Sequence, residues 1–175
     1  SMVPVISLEG PERDTDARRG HGVFRRVMQA MARLHAARVP FGASLTVTSV
    51  NLDVVTAPAF IRSLTDARAR VVFFVEYTPV EPGTEALALS AFQRAELRRR
   101  VDALRAGRRA LFVAFPGDEE RYGGCLAAGR GFVHVDPRGD LEPCPFAPYA
   151  DTSVRDRSLA DALGSPLLAA LRATP

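Results

Sequence analysis

Val71-Val-Phe-Phe-Val75 is an unbroken run of β-branched and aromatic residues held between Arg70 and Glu76. A strand with one wet face would alternate; a continuous run predicts a strand of a parallel sheet covered on both faces. Helical patterns lie on either side of it. Upstream, Phe60, Ile61 and Leu64 recur at helical spacing, and Pro58 suits the first turn of that helix. Downstream, a long helix from about Ser90 to Ala106 puts Leu97, Val101 and Leu104 on one stripe, with Gly107 as its C′ cap.

Further outward the alternation continues. Phe41-Gly-Ala-Ser-Leu-Thr-Val-Thr48 reads as a strand entered through Val39-Pro40, and Asn51 opens the turn or caps the helix after it. Gly22 to Arg38 is an amphipathic helix carrying Phe24, Val27, Met28, Met31 and Leu34 on one side. Val3 to Leu8 reads as a buried strand, Glu9-Gly10-Pro11 bounds it, and a polar loop rich in Asp and Arg follows. Ala110 to Phe115 is the last strand of this series. Strands alternating with helices predict a parallel α/β sheet with right-handed crossovers, and the strands are too few to close a barrel. After Pro116-Gly117 the character changes to turns, proline and two short helical pieces around Leu159–Leu163 and Pro166–Leu171. The expected organisation is therefore residues 1–115 as the α/β unit and 116–175 as a hairpin and helix extension.

Composition narrows the function classes. No apolar run approaches the roughly 20 residues of a membrane span, and no signal peptide leads the chain, so the reading is cytoplasmic. Ser1-Met2 reads as a cloning remnant, with sequence expected upstream. All 23 basic residues are arginine, against 20 acidic ones, and the estimated pI is 9.4. Their groups, such as Arg98-Arg99-Arg100, are interspersed with Asp and Glu, and no aromatic residues are interleaved with them on one surface. This argues for solvated helix faces and against a nucleic-acid partner.

The two cysteines of the chain bracket Cys125-Leu-Ala-Ala-Gly-Arg-Gly-Phe-Val-His-Val-Asp-Pro-Arg-Gly-Asp-Leu-Glu-Pro-Cys144. The pattern is C-x13-G-x4-C, in which a strand, a glycine turn and a second strand return the chain to its start. Three uses of the thiols fit: buried structural residues, a disulfide, which a reducing cytosol disfavours, or metal ligands. Zinc needs two more ligands, and His134, the histidine nearby, sits on the face of Phe132 like a packing residue.

The hairpin resembles the cluster-binding hairpin of SPASM and twitch domains in radical S-adenosylmethionine (SAM) enzymes. Four residues separate Gly139 from Cys144, Cys144-Pro145 leads into a proline-rich segment, and Ser158-Leu-Ala-Asp-Ala-Leu-Gly-Ser-Pro-Leu-Leu168 resembles the helix that follows there. Ser7-Leu8-Glu9-Gly10 is similar to the "SLDG" signature ending the fourth barrel strand, and Arg19-Gly20-His21-Gly22-Val23-Phe24 to the "RG-x-G-x-F" after it. Val47-Thr48-Ser49-Val50-Asn51 resembles the fifth-strand segment, and Tyr77-Thr78-Pro79-Val80 the one after the sixth. The resemblance covers nearly the whole chain, in order.

What it implies is the C-terminal half of a (β/α)6 radical SAM barrel, followed by the start of an auxiliary iron–sulfur domain. Cys125 and Cys144 would be ligands of an auxiliary [4Fe–4S] cluster, whose set normally holds four thiolates. Ser7, Glu9, Arg19 and Asn51, with Thr46, would lie at the strand ends beside SAM, with Arg19 meeting its carboxylate; Glu76 and Tyr77 would line the substrate cavity. The intact family cleaves SAM reductively and uses the resulting radical on a peptide or small-molecule substrate. The C-x3-C-x2-C that binds the catalytic cluster is missing from this sequence, so the chain alone is not expected to catalyse that reaction and no catalytic residue is assigned. The rival expectation is a non-catalytic binding or assembly module, a homodimer through the strand edges and face that half a barrel leaves open.

Overall fold

The computed structural model describes residues 3–107, 109–119 and 123–173. The chain divides into two units, Ser1–Asp118 and Glu119–Pro175. In the first, β1 (Val5–Leu8), β2 (Gly42–Val47), β3 (Val71–Glu76) and β4 (Leu111–Phe115) form one sheet in the order β1-β2-β3-β4, every pair parallel. Between them run α1 (Glu12–Arg19) and α2 (Val23–Ala36), then α3 (Leu52–Val55) and α4 (Pro58–Asp66), then α5 (Ala91–Ala106). Sequential order with helical crossovers puts the carboxyl ends of all four strands on one edge of the unit.

The register sorts the strand residues into two faces. Leu8, Ala43, Leu45, Val47, Val72, Phe74, Phe112 and Ala114 share one, and all belong to the core, packed with Met31 of α2, Phe60, Ile61 and Leu64 of α4, and Leu97 and Val101 of α5. The other face carries Ser7, Ser44, Thr46, Phe73, Val75, Val113 and Phe115, all half-buried and none part of that core. The expectation that Val71–Val75 is covered on both faces is therefore corrected. Its burial alternates, because the helices of this unit pack on one side.

The segment after Pro11, expected as a polar loop, is α1. It has no apolar stripe, so hydrophobic periodicity could not reveal it. Glu12 and Asp14 sit in its first turn and Arg18 and Arg19 in its last, the order that the helix dipole favours. Thr15, fully buried, ties it to β1: its Oγ1 accepts the Glu9 N–H at 3.1 Å and donates to the Gly10 carbonyl at 2.7 Å. Gly107, expected as a left-handed C′ residue, ends α5 with φ −75°, an ordinary right-handed conformation. The other end of α5 has a capping box of Ser90 and Gln93.

On the exposed side of α5, Glu96 accepts hydrogen bonds from Arg99 (2.7 and 2.8 Å) and Arg100 (2.6 Å). The Arg99 bonds first, then that of Arg100, lower its carboxyl from 4.5 to about 2. A carboxylate depressed in the folded state stabilises above its unfolded value and loses that contribution on protonation. Glu96 should thus stabilise fully above about pH 4.5 and stop doing so as pH falls through about 2. In urea titrations across that window, Glu96→Gln should show a shallower acid decline than the parent.

The second unit contains the predicted hairpin, β5 (His134–Val135) antiparallel to β6 (Leu141–Glu142), then α6 (Leu159–Ala162) and α7 (Pro166–Ala173). Its small core is Ala128, Leu141, Ala162 and Leu168. No helix among the described residues is long and apolar enough to cross a membrane.

Candidate functional site

Segments at the ends of β1, β2 and β3 meet around Glu9 and its two arginines. Leaving β1, Glu9 is 2% exposed, yet carries a carboxylate. Arg18 Nη1 donates to Oε2 at 2.7 Å, and Arg19 Nε and Nη2 donate to Oε1 at 2.9 and 2.6 Å. The two guanidinia of α1 outweigh the one carboxylate, so the cluster keeps a net positive charge. Arg18 also lies over the Tyr77 ring, 5.7 Å from its centroid, just beyond the end of β3.

Asn51 ties β1 to β2. Its Nδ2 donates to the carbonyls of Thr46 (2.9 Å) and Glu9 (3.3 Å), while its Oδ1 accepts the Thr48 N–H at 2.7 Å. Asn51 precedes α3 but does not cap it with its side chain; its amide is spent on holding the strand ends together. Glu9, Arg18, Thr48 and Asn51 line one cavity of about 200 Å³. Ser7 stands on the open face beside Ser44, its partner in register. Glu76 is placed elsewhere: it is on the helix-facing side, where Arg94 Nε of α5 donates to Oε2 at 2.9 Å.

The loop between Arg19 and α2 is fixed by Asp16. Its carboxylate accepts the N–H groups of Gly22 (2.6 Å) and Phe24 (2.8 Å), and these bonds, Phe24's first, hold its carboxyl below the usual range. Arg18, Asp16 and Thr15 are site residues that the sequence reading missed. Ser44 was legible in principle, since Ser44 and Thr46 alternate with Ala43, Leu45 and Val47 along β2.

In the second unit the hairpin brings both thiols to one cavity. Cys125 is exposed and Cys144 half-buried, both are free, and they line a space of about 300 Å³ with Arg130, Tyr149 and Leu171. The Ala128 N–H donates to the Pro143 carbonyl at 3.0 Å, clamping the loop after Cys125 to the residue before Cys144. From α7, Arg172 Nη1 donates to the Ala128 carbonyl at 2.9 Å. His134 Nδ1 is 2.8 Å from Oε2 of buried Glu142, its partner across the hairpin, and does not line the cavity. Among the described residues no group of three His, Cys, Asp or Glu side chains is placed to hold a metal ion. The residues thus fit half of a four-thiolate set.

Gly139 explains its place in the C-x13-G-x4-C spacing. Its φ is +92°, and a Cβ there would lie 2.8 Å from Arg155 Cγ. Gly139→Ala should cost about 1–2 kcal/mol from the left-handed backbone alone, read as an earlier thermal transition of the second unit by circular dichroism.

No family model and no curated protein matches the sequence. Solved structures do match. SuiB of Streptococcus suis superposes with a TM-score of 0.66 at 16% identity, over 98% of this chain and 45% of SuiB. The chain has the fold of part of SuiB. SuiB bound to S-adenosylmethionine gives 0.63 at 14% identity, over 97% of this chain and 44% of that one. anSMEcpe with bound S-adenosylmethionine and the Cp18Cys peptide gives 0.63 at 15% identity, over 95% of this chain and 52% of that one. SuiB has also been solved with its precursor peptide SuiA. The chain spans about half the length of these structures. Two of these structures hold S-adenosylmethionine, the molecule that the family resemblance implies, and the α/β fold expected from that resemblance is shared with them.

Proposed function

We propose that this chain is the later part of a radical SAM protein, the second half of its (β/α)6 barrel followed by the start of a SPASM/twitch-type domain, acting in the intact protein on a peptide. The observation that carries the reading is the pairing of a sequentially ordered parallel sheet with a hairpin that sets Cys125 and Cys144 on one cavity, in a chain that superposes end to end on about half of SuiB. The peptides bound to SuiB and anSMEcpe favour a peptide over other substrate classes.

On this reading the open face of the sheet is the inside of the barrel. Its β1–β2 half is polar, with Ser7, Ser44 and Thr46, and its β3–β4 half apolar, with Phe73, Val75, Val113 and Phe115. SAM, when bound in the intact protein and reduced by one electron from its catalytic cluster, would supply the radical; Ser7, Glu9, Arg19 and Asn51 would form its side of the pocket. Glu9 orients Arg19 toward the co-substrate, and Asn51 fixes the Glu9 backbone that both depend on. Cys125 and Cys144 supply two thiolates of an auxiliary iron–sulfur cluster, whose other ligands come from outside this sequence.

Iron and acid-labile sulfide, measured after anaerobic reconstitution of this chain and of its Cys125→Ala, Cys144→Ala variant, test the metal assignment. Iron and sulfide taken up by the parent and lost in the variant is the expected result. Uptake that the double variant retains overturns the assignment of the hairpin as a ligand pair. A second reading, an assembly module that dimerises, is favoured by the apolar half of the open face and by the unpaired edges of β1 and β4 in the described sheet. A concentration-independent monomer in light scattering excludes it.

A further inference from the structure

We propose that the amino-terminal end of the sheet, opposite the Glu9 cluster, is a binding site for a small phosphate-type anion. A cavity of about 230 Å³ opens there between the α2–β2 and α4–β3 connections, lined by Arg38, Arg68 and Arg70 with the His35 imidazole beside them, and with no carboxylate. Phe41, 1% exposed, is part of its wall. The size is below the roughly 300–1,000 Å³ of clefts for drug-sized ligands and suits a phosphate or diphosphate group.

Several arginines of this unit are neutralised locally, as Arg19 is by Glu9, Arg94 by Glu76 and Arg100 by Glu96. Among the described residues none of the three cavity arginines has an acidic partner. Three unneutralised guanidinia around one concavity create the field that concentrates a multiply charged anion, and planar guanidinia match phosphate oxygens in pairs.

The backbone supplies a second, independent reason. α2 and α4 end in the same closure: Arg38 N–H donates to the His35 carbonyl and Val39 N–H to that of Leu34, and Arg68 N–H donates to Thr65 and Ala69 N–H to Leu64. These are paired Schellman motifs, whose C′ residue is left-handed and usually glycine. Here both C′ residues are arginine, with φ 57° at Arg38 and 74° at Arg68. The closures also satisfy carbonyls at the helix ends, leaving less backbone charge to offset the side chains. A cation that served only the helix dipole could stand anywhere in the last turn; placing one at each left-handed position, facing the same cavity, is accounted for by a ligand.

The test follows from the same geometry. Arg38→Gly, Arg68→Gly removes both guanidinia while giving each turn the residue its backbone prefers, so the variant should keep or raise its melting temperature. Inorganic diphosphate, titrated into the full chain at low ionic strength by calorimetry, should bind saturably, and the double variant should bind about 100-fold more weakly, tenfold per lost guanidinium. Adenosine diphosphate tested alongside identifies the source of the anion: equal losses assign recognition to the phosphates whether free or nucleotide-borne. Arg62→Gln, outside the cavity, should change nothing. Absence of saturable diphosphate binding, equal binding by the double variant, or binding of a single-stranded oligonucleotide alone would overturn the proposal.

Discussion

Glu9→Ala should lower the unfolding free energy of the first unit by about 2–3 kcal/mol, the range for losing hydrogen bonds to charged partners in a buried setting. The side chain is 3% exposed, while Arg18 and Arg19 are 47% and 36% exposed. That asymmetry sets the size of the effect. With the carboxylate gone, both guanidinia can turn to water, so the loss stays below the roughly 3–5 kcal/mol of stranding a fully buried ion. Removing one arginine leaves the other on Glu9, and Arg18→Gln or Arg19→Gln should each cost about 1 kcal/mol or less. Urea unfolding followed by circular dichroism separates these cases. Equal costs for Glu9→Ala and Arg19→Gln would mean that the three groups do not act as a cluster around one buried carboxylate.

The same cluster shows what the sequence could and could not convey. Strands and long helices were legible because each has a private signal: apolar runs in β3 and β4, the three- and four-residue steps of α2, the Leu97, Val101 and Leu104 stripe of α5. The Cys125–Cys144 pair was legible as a pair because hairpin spacing alone returns one thiol toward the other. α1 was hidden because its support is polar and comes from Thr15, Asp16 and the charge order of its turns, none of which has an apolar period. The role of Arg18 was hidden because it depends on where Tyr77 arrives, 59 positions later in the chain (77 less 18). Nor could the sequence distinguish the covered from the open face of β3. Val72 and Phe74 face the core and Val71, Phe73 and Val75 do not, yet the two sets are chemically the same.

Phe74 and Phe73 therefore make the sharpest comparison in the molecule. Phe74 is fully buried, is on a central strand, and stacks on Phe112 with ring centroids 6.5 Å apart. Phe74→Ala removes the ring and leaves a cavity among Leu45, Val72 and the helices behind them, and should cost about 3–5 kcal/mol. Phe73→Ser is one residue away in sequence and on the opposite face. It gives up half-buried area with no closed cavity to leave behind, and should cost about 1 kcal/mol or less. Denaturant midpoints of the two variants at a single protein concentration test the contrast. If Phe73→Ser proves as costly as Phe74→Ala, the open face is covered in solution. Repeating that measurement across protein concentrations then discriminates a second copy, whose contribution grows with concentration by mass action, from a contact within the chain, which does not depend on it.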